Sequence, residues 1–156
     1  MTLVDSSVWI NFCRGNDTPQ VERLDALFAQ ERIVVGDLIL TEVLQGFRTE
    51  QDFNLARRTT LETFEIVDLG GADIALQAAK NFRALRRLGF TVRRTIDTII
   101  ATKCIEAGFG LLHADRDFDP FLRRNGSTFG LTFGLMRFCF RNCQFFSHYL
   151  THCLDD

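Results

Sequence analysis

Short apolar runs alternate with longer amphipathic stretches between residues 2 and 113, and this alternation constrains the fold more than any other feature. The apolar runs lie at 2–5, 33–36, 64–69 and 111–113, and they are rich in Val, Ile and Leu. Runs this short are typical of strands, whereas the stretches between them carry apolar residues at helical spacing. Strands that alternate with helices predict an α/β fold, with a short central parallel sheet in a three-layer α/β/α arrangement.

Local signals predict where several helices begin and end. Ser6 or Ser7 is expected to cap the first helix, and Asp37 is expected to cap a helix that carries Glu42. Gly89 is expected to follow the end of a long helix, because glycine readily adopts the left-handed conformation found there.

The composition is that of a soluble globular protein. Of the 156 residues, 46% are hydrophobic and 24% are charged, which excludes wholesale disorder and a collagen-like chain. The formal net charge is −2, so no overall basic excess indicates nucleic-acid binding. Irregularly spaced cysteines, the lack of a signal-peptide pattern and the lack of a long apolar run together favour a cytoplasmic protein without a membrane segment.

Acidic residues stand at positions that would meet at one edge of the predicted sheet. Asp5 and Asp115 follow apolar runs, Asp97 opens a predicted helix, and Glu42 lies in the first turns of another. Ligands of parallel sheets bind beyond the carboxyl ends of the strands, so these side chains are expected to converge there. Crowded carboxylates repel one another, and a hard cation such as Mg²⁺ relieves the repulsion and activates water for phosphodiester hydrolysis. An aspartate after a strand is also an ordinary helix cap, so position alone leaves both roles open.

Four segments, in this order and spacing, resemble those of PIN-domain ribonucleases, and most of all the VapC toxins of prokaryotic toxin–antitoxin pairs. The segments are VDSSVWI at 4–10, LILTEVLQG at 38–46, TIDTIIATKCIEAG at 95–108 and LLHADRDFDPF at 111–121. Several motifs in one order are far more specific than any single motif, and together they cover residues 1 to about 122.

The resemblance implies a PIN-like fold and a Mg²⁺-dependent endoribonuclease in which Mn²⁺ can substitute. It places the catalytic and metal-binding carboxylates at Asp5, Glu42, Asp97 and Asp115, with Ser7 in a supporting position. The implied partners are an RNA substrate, a cognate VapB-like antitoxin that holds the enzyme inactive, and a second copy of the chain in a homodimer.

Arginines cluster between residues 83 and 94, just before Asp97. Most charge runs are solvated helix faces, but this one leads into the acidic residues and would attract a polyanion. Arg93 and Arg94 are therefore the candidates for contacts with RNA phosphates, which give affinity without sequence information.

Other conspicuous residues have structural interpretations. Trp9 is expected in the core or at a partner contact, and His113 is expected to pack inside the last strand rather than act as a base. Asp117 or Asp119 is expected to cap the short helical turn that follows.

The sequence divides into a nuclease-like domain at 1–126 and an atypical segment at 127–156. The second part contains six phenylalanines, three cysteines and only four charged residues, a composition that also fits an aberrant C-terminus. Its repeat TFGLTFGL favours an edge strand near 128–134. Its cysteines and histidines are zinc-ligand types, but their spacing departs from that of usual zinc sites.

Other functions remain open at this stage. A structure-specific DNA nuclease would use the same acidic residues, and a catalytically inactive PIN-like binding module would suit the unusual C-terminal segment. A phosphoacceptor receiver domain would need paired acids at the first strand and a lysine after a late strand. Asp5 has no acidic neighbour, and both lysines, Lys80 and Lys103, fall on predicted helices.

Overall fold

The computed structural model describes residues 1–124, with side chains described through residue 121. The four strands of this part of the chain are β1 (Thr2–Val4), β2 (Ile33–Gly36), β3 (Glu65–Val67) and β4 (Gly110–Leu112). Its α-helices are α1 (Ser6–Cys13), α2 (Pro19–Phe28), α3 (Asp37–Leu44), α4 (Glu50–Thr63), α5 (Ala72–Arg87), α6 (Thr95–Ala107) and α7 (Asp119–Arg124), and a 3-10 helix spans Arg116–Phe118. The predicted domain boundary at 126 and the edge strand at 128–134 lie outside these residues. None of the helices described is long and apolar enough to cross a membrane.

The strands form one parallel sheet in the order β3-β2-β1-β4, and Leu3 of β1 pairs with Val34 on one side and Leu111 on the other. The predicted short parallel sheet flanked by helices is confirmed. In chain order, β2 pairs with β1 and β3 pairs with β2, and β4 then pairs with the opposite side of β1. The order therefore reverses between β1 and β4, which is where open α/β sheets bind their ligands. Asp5 follows β1 directly at this point.

Trp9 anchors α1 in the core. Its indole is 6% exposed and donates a hydrogen bond to the carbonyl oxygen of Val4, at 3.1 Å. Its ring makes edge contacts with Phe12 and Phe64, at centroid separations of 6.2 and 5.2 Å. Aromatic pairs of this kind add roughly 0.5–1.5 kcal/mol each beyond their buried area. The core position predicted for Trp9 is confirmed, and it fixes the helix that begins beside Asp5.

Two of the predicted helix caps are wrong. Asp5 rather than Ser6 or Ser7 caps α1, because both serines already lie in the first helical turn and the Asp5 carboxylate accepts the Ser7 N–H at 2.9 Å. Asp37 is itself the first residue of α3, and the glycine before it takes the cap position without a side-chain bond. The Asp37 carboxylate instead accepts the N–H groups of the next residue and of Leu69, at 2.8 and 3.0 Å.

The end of α5 matches the sequence prediction, whereas the end of β4 does not. Gly89 has a φ of +83° just beyond α5, as expected of a residue that follows a helix. His113 lies outside β4, which ends at Leu112. Its Nδ1 is 2.8 Å from the backbone oxygen of Asp115, and its ring packs against Phe118 at 4.9 Å. His113 is therefore a packed residue, as predicted, but in the loop after the strand.

Candidate active site

Asp5 and Ser7 form the centre of the site. Asp5 is 4% exposed, and its Oδ2 accepts hydrogen bonds from the N–H and the hydroxyl of Ser7, at 2.9 and 2.5 Å. The Ser7 oxygen in turn accepts the backbone N–H of Ala114, at 3.1 Å. Ala114 follows β4, so the Ser7 hydroxyl joins the carboxyl ends of the two strands between which the sheet order reverses.

Glu42 reaches the same region from α3 through Ser6. The Ser6 hydroxyl donates to Glu42 Oε2 at 2.7 Å, and the glutamate is half-buried. The two adjacent serines therefore hold two different carboxylates, Ser7 that of Asp5 and Ser6 that of Glu42. This arrangement brings Glu42 next to the segment that carries Asp5.

Asp97 is the most perturbed carboxylate of the site. It is the third residue of α6, is 5% exposed, and its Oδ2 has no hydrogen-bond partner within the described residues. Burial is the main cause that raises its pKa from 3.8 to about 6, and repulsion from the Asp5, Asp115 and Asp117 carboxylates contributes to the same rise. The Arg94 charge opposes this effect and lowers the pKa. Asp5 and Asp115 therefore lie close enough to Asp97 to disfavour its ionisation.

Asp115 is held by the turn that it begins. Its carboxylate accepts the N–H of Asp117 at 3.0 Å and caps the 3-10 helix. The prediction that Asp117 or Asp119 caps this turn is wrong, because the acid that precedes the turn has the extended backbone that a cap requires.

Asp117 has a different role that the sequence did not indicate. It is 7% exposed and accepts the backbone N–H of Arg93 at 3.1 Å and the Arg93 guanidinium at 3.2 Å. Arg93 is therefore ion-paired, whereas Arg94 is exposed at the start of α6, where its charge acts on Asp97. In the sequence, the pair is visible only as a basic residue shortly before α6 and an acidic residue after β4.

Cys104 lies close enough to Asp5 for the carboxylate to affect its thiol. Burial, with a smaller contribution from the Asp5 charge, raises the pKa of Cys104 to about 12. The thiol is therefore neutral at physiological pH and is not an activated nucleophile.

The donor atoms suit a divalent cation in type and charge. Carboxylates that repel Asp97, and a buried oxygen of Asp97 without a hydrogen-bond partner, are what a hard cation neutralises. Within the part of the chain described, however, no three or more His, Cys, Asp or Glu side chains form a ready-made set for a metal ion.

A parallel sheet with Asp5, Asp97 and Asp115 clustered where its strand order reverses defines an α/β protein with an acidic cluster beyond the carboxyl ends of its strands. The model of the PIN domain family matches residues 2–121, and the chain belongs to that family. It is 30% identical over 125 residues to the VapC ribonuclease Mb1587 of Mycobacterium bovis and to the ribonuclease VapC11 of Mycobacterium tuberculosis. Each alignment covers 79% of this chain and 92% of the relative. The predicted resemblance to VapC-type PIN proteins is confirmed.

A solved structure supports the fold assignment. The chain is similar to one from a crystal structure of VapBC2 of Rickettsia felis bound to a DNA fragment from their promoter, with a TM-score of 0.60. The match covers 76% of this chain and 90% of the other chain, at 15% identity. At that identity, the likeness concerns the fold alone.

Proposed function

We propose that this chain is a divalent-metal-dependent endoribonuclease and the toxin of a toxin–antitoxin pair. The observation that carries the proposal is the Asp97 carboxylate, which is buried, has one unpartnered oxygen, and is destabilised in its charged form by Asp5 and Asp115. Repulsion within such a cluster costs stability, so its presence where the strand order reverses favours a role in chemistry over a role in stabilising the fold. The relatives named as ribonucleases support RNA as the substrate.

Asp5, Glu42, Asp97 and Asp115 are the residues that would hold Mg²⁺, with Mn²⁺ as a substitute. When bound, the cation supplies a more acidic water and stabilises the charge that develops on a phosphoryl group. The protein contributes fixed carboxylates, because Ser7 orients Asp5 and Ser6 orients Glu42. Outer hydrogen-bond partners of this kind generally tune metal affinity and activity by about 10- to 100-fold.

Arg94 is the better candidate for a contact with an RNA phosphate. It is exposed, and its charge acts on Asp97, so a phosphate drawn to it would come near the carboxylate cluster. Arg93 was an equal candidate in the sequence, but its guanidinium is committed to Asp117.

The proposed partners are a VapB-like antitoxin and a second copy of the chain. The solved VapBC2 structure, whose fold this chain shares, motivates the antitoxin. A basic antitoxin side chain that pairs with Asp5, Glu42 or Asp97 would compete with the metal and silence the enzyme. The proposed setting is the cytoplasm, where such a complex would meet RNA.

The test uses the purified full chain with RNA and, in parallel, with branched and single-stranded DNA. RNA cleavage that is lost with EDTA and restored by Mg²⁺ or Mn²⁺ supports the proposal, and Ca²⁺ should restore it poorly because its coordination is looser. Cleavage of structured DNA with intact RNA would instead identify a DNA nuclease. Cleavage that persists after thorough chelation would contradict the metal-dependent mechanism.

A further inference from the structure

Asp117 is the buried carboxylate that the proposed metal-binding set leaves out. Its side chain is 8% exposed, and both of its oxygens are used by Arg93. Oδ2 accepts the Arg93 backbone N–H at 3.1 Å, and Oδ1 accepts the Nε–H of Arg93 at 3.2 Å and also lies 3.2 Å from Nη2. A buried charge is costly unless it is paired, so this contact accounts for the burial of Asp117.

The Arg93–Asp117 contact connects the two chain segments that carry the later acids of the site. Arg93 lies two residues before α6 begins and four before Asp97. Asp117 lies two residues after Asp115, which begins the same 3-10 turn. The pair, whose members are 24 residues apart in sequence, therefore links the segment that carries Asp97 to the segment that carries Asp115.

The contact fixes the backbone as well as a side chain. Asp117 binds the N–H of Arg93 directly, and the neighbouring Val92 is 5% exposed and packs in the core. The Arg93 side chain, by contrast, is 76% exposed and is anchored through its guanidinium. The buried end of the pair is thus Asp117, and the element that it immobilises is the segment that enters α6.

We propose that Asp117 is a positioning residue of the nuclease site: by holding Arg93 at both its backbone and its guanidinium, it sets the separation of Asp97 from Asp115. The inference rests on the proposed function. Asp117 is not one of the proposed metal ligands, and its contact with Arg93 acts through the backbone on either side; its charge also adds to the repulsion at Asp97. A displacement of about 1 Å between catalytic groups can cost on the order of 100-fold in rate, so a modest loosening would be measurable.

The test measures kcat and KM for RNA cleavage by the full-length chain with Arg93→Ala, Arg93→Lys and Asp117→Asn. Each should lower kcat by about 10- to 100-fold while KM stays near the wild-type value. Arg93→Lys should not rescue the rate, because lysine keeps the charge but lacks the two-pronged guanidinium. The double variant Arg93→Ala with Asp117→Asn should be no slower than the slower single variant, because both changes remove the same ion pair between the Arg93 guanidinium and the Asp117 carboxylate.

Arg93→Ala keeps the Asp117 charge that acts on Asp97, so it separates geometry from that charge, and matched controls account for a general change of charge. Asp119→Asn and Arg58→Ala make the same charge changes at exposed positions, and they should cleave RNA at the wild-type rate. Amide hydrogen exchange in the metal-free protein gives a readout that does not need activity: exchange at Arg93 should be faster in Asp117→Ala than in the wild type.

Three results would overturn the inference. Arg93→Ala could raise KM and weaken the salt dependence of RNA binding with kcat unchanged, which identifies a phosphate contact instead. Asp117→Asn could lower the melting temperature alone, with kcat retained, which identifies a purely structural pair. Unchanged exchange at Arg93 would show that Asp117 does not hold the segment. Failure of the proposed function is recognised separately, because the wild-type chain would then cleave no RNA.

Discussion

The hydroxyl of Ser7 lies 2.5 Å from the carboxylate of Asp5, and the same oxygen accepts the N–H of Ala114 at 3.1 Å. One small side chain therefore fixes the orientation of the first acid of the site and joins the ends of β1 and β4. Because a hydroxyl can donate and accept at once, serine suits this position in a way that alanine does not.

Ser7→Ala should reduce RNA cleavage by about 10- to 100-fold while leaving the fold intact. The Ala114 N–H loses its partner at an exposed position where water can replace it, so the loss of stability should be no more than about 0.5–1.5 kcal/mol. Ser6→Ala is the matched comparison, because it frees Glu42 rather than Asp5. Initial cleavage rates and thermal melts on both variants check the prediction, and a wild-type rate for Ser7→Ala would show that Asp5 does not need this support.

Asp97 should make the stability of the metal-free protein fall as the pH rises from about 4 to about 6. Its pKa is raised from 3.8 to about 6, so in this window the folded state holds a proton that the unfolded state has released. Above pH 6, Asp97 is charged in both states, and the folded state bears the full free-energy cost of the buried charge. Asp97→Asn should therefore be more stable than the wild type at pH 7.5, by something on the order of 1–3 kcal/mol, and nearly equal at pH 4.

Urea denaturation in EDTA at the two pH values measures this difference directly. A variant that is no more stable than the wild type at pH 7.5 would show that burial and repulsion do not strain the Asp97 carboxylate. Asp119→Asn, at an exposed position near the same turn, is the control for loss of one negative charge.

A divalent cation should reverse the repulsion and stabilise the folded chain. A ligand that binds only the folded state raises stability by about 2.7 kcal/mol at 100 times its Kd, so Mg²⁺ or Mn²⁺ should raise the melting temperature. The increase should disappear in Asp97→Asn, although that variant starts from a higher stability at neutral pH. An equal rise in both proteins would place the bound metal away from Asp97.

Truncation after Phe133 should preserve Mg²⁺-dependent cleavage and improve solubility. The proposed site residues lie at or before Asp117, and the family match ends at residue 121. The change removes four of the six phenylalanines of the segment 127–156, where they are an aggregation risk. Thermal melting decides the matter: a truncated chain that melts far below the full-length protein, or does not fold, would show that the removed residues complete the core.

The proposed homodimer is tested by light scattering at tens of micromolar protein. We expect a mass of about twice 17.8 kDa. A monomer throughout that range would contradict the dimer and leave the nuclease proposal untouched.

What the sequence could predict was local. Asp5, Asp97 and Asp115 became candidates because each stands at the end of a strand or the start of a helix, and a parallel sheet brings such ends together. Their assignment as site carboxylates, together with Glu42, came from the resemblance to PIN-domain ribonucleases. The caps of α1 and α3 were misassigned by one or two positions, since the serine and aspartate signals do not fix which residue has the extended backbone. Those errors leave the site unchanged, because Asp5 serves both as cap and as acid.

What the sequence could not predict depends on contacts between distant residues. Nothing in the segment DRDFD distinguishes the acid that caps the turn from the one that binds Arg93, because the choice is made by the loop before α6. The unpartnered oxygen of Asp97 is likewise a property of the packed structure. Both features form only in the folded chain, where the ends of β1 and β4 lie side by side.

The most direct test of the central claim is the initial rate of Mg²⁺-dependent RNA cleavage by Asp97→Asn, compared with the wild type and with Asp119→Asn. The asparagine keeps the shape of the side chain and removes the charge that the cation needs. We predict that Asp97→Asn is folded and inactive, whereas Asp119→Asn cleaves at the wild-type rate. A folded Asp97→Asn protein that cleaves RNA as fast as the wild type would contradict the assignment of this carboxylate cluster as the nuclease site.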